Sequence, residues 1–195
     1  MLKMVMAMTE IRVTELLRCP YYKPYDFMDE YRIRGQITHA ILQTSKEFEN
    51  CEKEKELRIK IDNEIELIGH IDILCGDIIF EIKPYPNLKE QRELFTRQIQ
   101  IYANMFKRLY NKTPKMFFIF YKWQLGITKY VKQEVFYEDV WDWVTRWAKD
   151  YVRLNRDGKL LIKTYLCHTC LLKNECYLYT FMPEEKILYL PKPKV

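Results

Sequence analysis

Glycine is scarce in this chain: 195 residues carry five Gly and eight Pro. That excludes collagen-like repeats, Gly/Ser linkers and low-complexity disorder. No run of about 18 apolar residues occurs, so no membrane-spanning helix is expected. The first ten residues lack a long apolar stretch and a small-residue cleavage site, so no secretory leader is expected. Six cysteines are too few for a disulfide scaffold at this length, and a reducing, cytoplasmic compartment without membrane association is the expectation. Internal repeats are absent as well.

Core-forming residues are plentiful, with 48% hydrophobic and 15% aromatic side chains beside 30% charged ones. One globular domain over residues 1–195 accommodates them. The net charge of +5 is unevenly spread: residues 1–85 hold 12 Lys/Arg against 16 Asp/Glu (−4), and residues 86–195 hold 20 against 11 (+9). An acidic half followed by a basic half suggests a polyanion handled beside clustered carboxylates.

Periodicity predicts a short helix over Thr9–Leu17, ended by Cys19-Pro20, and a second over Gly35–Phe48 with Ile37, Ala40, Ile41, Thr44 and Phe48 on one face. Strands are predicted over 57–61, 65–75, 78–83, 116–123 and 128–136, and helices over 91–110 and 138–155. This order predicts an α/β or α+β layer sandwich.

Gly76-Asp77 reads as a two-residue hairpin turn. Counting back from it places Asp72 opposite Glu81, with Lys83 on the same face. Like charges in that relation repel, which leaves a solvated sheet face or a hard divalent cation between the carboxylates. His39 lies away from its helix's Ile stripe, as a surface residue or as a ligand facing the sheet. Gln98 and Tyr102 share the apolar stripe of the following helix. A buried amide needs partners, so Gln98 either caps a backbone group or reaches the metal site.

Arg34-Gly-Gln-Ile-Thr-His39, Gly69-His-Ile-Asp72, Glu81-Ile-Lys83 and Gln98-x3-Tyr102 together resemble the RecB-type nuclease domain of the PD-(D/E)xK superfamily. The resemblance implies a restriction-endonuclease-like mixed sheet flanked by helices, with a catalytic core over 34–137. It implies His39, Asp72 and Glu81 as ligands of Mg²⁺ or Mn²⁺, Lys83 as a catalytic residue, and Gln98 and Tyr102 as supporting residues.

Cys167-x2-Cys170-x5-Cys176 offers three ligands. Cys19, His168, Cys51 and Cys75 are candidates for the fourth, and chemistry alone leaves buried thiols, a zinc site and an iron–sulfur cluster open. The lone Cys19-Pro20 upstream and the triplet downstream are similar to CRISPR-associated exonucleases of the "Cas four" type. That resemblance implies a [4Fe–4S] cluster on Cys19, Cys167, Cys170 and Cys176, with [2Fe–2S] or zinc as alternatives. It also implies that segments 9–31 and 157–182 are stapled into one helical region, and that Cys51 and Cys75 have no assigned role. The implied activity is exonucleolytic hydrolysis of single-stranded or frayed DNA for spacer acquisition, with CRISPR integrase partners. A viral or plasmid nuclease for recombination, and a non-catalytic iron–sulfur or zinc DNA-binding module, are the other readings. Arg146, Lys149, Arg153 and Arg156 form a basic stripe expected either to be solvated or to track a phosphate backbone.

Overall fold

The computed structural model describes residues 8–25, 28–124, 127–158, 162 and 164–176. The elements in chain order are β1 (Thr9–Arg12), α1 (Val13–Leu16), α2 (Met28–Gln43), β2 (Glu52–Lys60), β3 (Ile65–Cys75), β4 (Ile78–Pro84), α3 (Lys89–Tyr110), β5 (Lys115–Gln124), β6 (Ile127–Val135) and α4 (Trp141–Arg156). Short 3₁₀ turns occupy Lys46–Phe48 and Tyr165–Thr169. Within the expected segment 157–182, residues 159–161, 163 and 177–182 lie outside the described residues.

Six strands form one mixed sheet, ordered β1-β3-β4-β5-β6 with β2 on the other edge of β3. β4 and β5 are parallel, and the connection between them runs through α3, as a parallel crossover requires. β3 is the spine. Its first residues pair with β1 through Arg12↔Ile68, and its last with β4 from Ile73↔Phe80 onward. Residues 69–72 have no ladder partner on that edge, which leaves a fork in the sheet. The larger core lies between the sheet and α1, α3 and α4, and a smaller cluster under α2 contains Leu42, Phe48, Ile73, Phe80, Ile82, Ile119 and Tyr121. β3 changes sides at the fork: Leu67, Ile71 and Leu74 join the larger core, whereas Ile73 joins the smaller cluster. The two-residue alternation of a strand is therefore broken at Asp72.

Three expectations are corrected. Thr9–Arg12 is a strand and the helix there is one turn, because pairing with β3 satisfies its backbone. The second helix starts earlier, at Met28, and the Ile stripe faces outward, with Ile37 46% and Ile41 53% exposed. Its buried side is Thr38 and Leu42, which brings the neighbouring His39 towards the sheet. Cys51 and Cys75, which had no expected role, form a disulfide between β2 and β3 with a Cα–Cα distance of 4.5 Å. That spacing matches a directly opposed cross-strand pair. Such a bond runs against the reducing compartment expected from cysteine usage; intracellular proteins of hyperthermophiles are the general exception. Among the described residues, no helix is long and apolar enough to cross a membrane.

Candidate active site

The hairpin register is the one that the two-residue turn dictates. Cys75 pairs with Ile78 and Ile73 with Phe80, while Gly76 takes the left-handed conformation that the turn needs (φ 62°). The same register sets Asp72 across from Glu81 at the fork. There the Ile82 amide donates to Asp72 Oδ2 at 2.7 Å in place of a ladder bond. This contact fixes the Asp72 carboxylate and turns Oδ1 towards His39 Nδ1, 3.6 Å away on α2.

Glu81 is 1% exposed and reaches towards α3. Its Oε1 pairs with Lys83 Nζ at 2.7 Å and accepts from Gln98 Nε2 at 3.0 Å. Gln98 also donates to Tyr102 Oη at 2.9 Å. Glu81 Oε2 is buried and has no hydrogen-bond partner among the described residues. A Cβ at Gly69 would lie 2.9 Å from the Tyr102 ring, so glycine at that position lets α3 close onto β3. All six residues expected at the metal and catalytic site are thus brought to the fork. His39 approaches from α2, Asp72 from β3, Glu81 and Lys83 from β4, and Gln98 and Tyr102 from α3.

Burial dominates the electrostatics. It raises the Asp72 pKa against the pull of Lys83 and His39. Burial, reinforced by the Asp72 charge, pushes Glu81 up to about 8. Burial acts to lower the Lys83 pKa, but the Glu81 and Asp72 carboxylates overcome it and hold the ammonium protonated. The Tyr102 hydroxyl is raised by burial and then by Glu81. Without a cation the triad comes closest to neutrality as one ammonium, two carboxylates and one retained proton. An orphaned oxygen beside a second buried carboxylate is a donor set fit for a divalent cation.

Sequence reasoning missed Glu54. Ligand atoms of His39, Glu54 and Asp72 lie within 4.8 Å of one another, the sole such group of three among the described residues. This group is compatible with a divalent metal. β2 reads as Glu-Lys-Glu-Lys-Glu, where alternation marks an edge and singles out no position. The four remaining cysteines are thiols and are not drawn into a tight set. Burial raises the Cys167 pKa, and Cys19, Cys170 and Cys176 act on it in the same direction. Segments 22–24 and 169–171 meet there: Pro24 bridges Cys170, Leu171 N donates to Lys23 O at 2.8 Å, and the Tyr22 and Thr169 hydroxyls bond at 3.1 Å.

The basic stripe on α4 is not brought to the carboxylates. Lys149 pairs with Asp62, Arg156 with Glu64 and Arg153 with Asp150, and Arg146 Nε donates to the Asp142 carbonyl. Asp62 and Glu64 precede β3, so at about 3.4 Å per residue they lie more than ~20 Å from Asp72.

No family model matches the chain, and no curated protein matches it. A protein from Eubacterium rectale provisionally named an exonuclease is a distant structural likeness, at 11% identity and TM-score 0.45 over 68% of this chain and 54% of that one. The fold is similar to that of the solved structure of SSO0001, at 21% identity and TM-score 0.62, with 91% of this chain and 90% of that one covered.

Proposed function

We propose that this protein is a metal-dependent deoxyribonuclease of the RecB-like PD-(D/E)xK kind, an exonuclease acting on single-stranded or frayed DNA ends. The observation that carries the reading is Glu81, fully buried beside Asp72 and Lys83 with one oxygen unpartnered. A buried carboxylate pair is costly unless it is neutralised, and one ammonium covers only half of its charge. A divalent cation held by Asp72 and Glu81, with His39 at the same fork, supplies Lewis acidity and an acidified water at a phosphodiester. The chain supplies the rest. The Ile82 amide orients Asp72, Gln98 orients Glu81, and Tyr102 holds Gln98. Lys83 stays charged, which suits it to stabilise phosphate oxygens and not to act as a general base.

The iron–sulfur cluster and the role in spacer acquisition with integrase partners belong to the same reading. Four thiolates equally suit a tetrahedral zinc site, so zinc is the alternative at the same positions. The test of the nuclease reading is a labelled single strand incubated with and without Mn²⁺. Asp72→Asn and Lys83→Ala are each expected to lose at least ~100-fold in rate, the scale of a lost transition-state contact. Undiminished Mn²⁺-dependent cleavage by both variants would overturn it.

A further inference from the structure

Lys149, Arg153 and Arg156 of α4 are each paired with a carboxylate, but two lysines nearer the fork are not. β5 and β6 set Lys122 directly opposite Lys129, and both are exposed. Among the described residues neither pairs with a carboxylate. Like charges in that relation repel. Two ammonium groups held so, with no acid between them, attract an anion from outside the chain.

The register ties this pair to the active site. Phe120 pairs with Lys83 in β4 and with Val131 in β6. Lys122 follows Phe120 by two residues, so Lys83, Lys122 and Lys129 stand on one face of the sheet. That is the face on which Lys83 meets Glu81 and the Phe95 ring of α3. β4 and β5 are parallel and reach this row at their carboxyl ends, where open α/β sheets take their ligands.

Tyr85 continues β4 by one residue, level with Lys122. Its amide donates to the Tyr121 carbonyl at 2.9 Å, and Pro84 and Pro86 flank it. The ring packs against buried Phe120 with centroids 5.8 Å apart, and the Lys122 ammonium lies 4.3 Å from its centroid. Tyr85 is nevertheless 43% exposed. A fixed backbone, a backed ring and open area make a stacking platform, because little freedom is lost when a base settles on it.

We propose that Tyr85, Lys122 and Lys129 form the subsite that grips an unpaired strand beside the cleavage point. A nucleobase stacks on Tyr85, and the next phosphate along the strand lies between the two ammonium groups. The base takes the place of Lys122 over the ring, and the flexible lysine stem keeps its ammonium in reach of the phosphate. The proposal rests on the nuclease reading and deepens it by naming what holds the substrate. No base edge is read, so the grip is indifferent to sequence.

The test is a fluorescent oligothymidylate of about 15 nucleotides, bound by the full chain without added divalent metal. One thymine is replaced by 5-iodouracil for photocrosslinking. Wild type is expected to bind more weakly as salt rises, and to crosslink at Tyr85. Tyr85→Leu should bind about 10-fold more weakly, the scale of one lost stack, and Tyr85→Phe should restore binding. Lys122→Gln combined with Lys129→Gln should reduce the slope of log affinity against log salt by at least about 0.7, the share of one phosphate. That double variant should melt no lower than wild type. No binding by wild type, unchanged affinity in Tyr85→Leu, crosslinks only at other residues, or an unchanged salt slope overturns the proposal. Failure of the nuclease reading is seen separately, as a strand bound and crosslinked at Tyr85 that is not cut when Mn²⁺ is added.

Discussion

Glu81 concentrates the chemistry of the site in one side chain, with one oxygen between Lys83 and Gln98 and the other buried without a partner. Burial and the Asp72 charge hold its proton to about pH 8 in the folded chain, whereas an unfolded glutamate releases it near 4.3. Between those values the folded state binds more protons than the unfolded one, so stability of the metal-free protein falls as pH rises through that window. A cation at the carboxylates must displace the proton, so its affinity should rise with pH up to about 8. Calorimetry in buffers of different ionisation enthalpy should record proton release on Mn²⁺ binding at pH 7. Glu81→Gln should abolish that release and flatten the pH dependence of melting. By removing a buried charge, the same variant should melt higher at pH 8 without metal, by roughly 2–4 °C for each ~1 kcal/mol gained. The Asp72–Glu81 relation was legible in the sequence because a two-residue turn fixes the register. The nearness of Glu54 to His39 and Asp72 was not, since alternating Glu and Lys along β2 singles out no position.

At the scale of elements, local periodicity located β2 to β6 and the two long helices, but it did not settle which helix face packs. Ile37 and Ile41 read as core in α2, yet the sheet covers the Thr38 and Leu42 side, and only the tertiary partner decides between them. β1 was misread for the same reason, since its partner β3 lies more than fifty residues away. The Cys51–Cys75 disulfide was equally hidden, although its register continues that of Glu54 and Asp72. It ties β2 to β3 three residues from each of those carboxylates. A bond across 24 residues removes unfolded-chain entropy worth about 3 kcal/mol. Reduction, or Cys51→Ser with Cys75→Ser, should therefore lower the melting temperature by roughly 6–12 °C. Melting with and without reductant, with free thiols counted in parallel, checks this, and an unchanged midpoint after complete reduction would refute it.

At the scale of the molecule, the described α4 stripe of the basic half is not brought beside the carboxylate site. Lys149 and Arg156 of α4 are matched by Asp62 and Glu64, just before β3, and Arg153 by Asp150 on α4 itself. Besides α3, the described part of the cysteine segment also comes near the site. Tyr165 opens its 3₁₀ turn, and burial raises the Tyr165 pKa while the Lys83 charge opposes the rise. The same turn leads into Cys167 and Cys170, where the N-terminal connection is bridged at Pro24. Loosening the thiols should therefore reach the fork through Tyr165 without touching a carboxylate. Cys170→Ala is expected to melt several degrees lower and to lose the proposed nuclease activity in proportion to the unfolded or opened fraction. Folded Cys170→Ala at low temperature should keep its Mn²⁺ affinity, because none of His39, Glu54, Asp72 or Glu81 has changed. Anaerobic absorbance with iron, sulfide and zinc quantitation on both proteins identifies what the thiols hold. Full stability and full activity in a Cys170→Ala protein devoid of iron and zinc would remove the staple, and would leave the contacts of Tyr22, Lys23 and Pro24 with residues 169–171 as what joins these two segments.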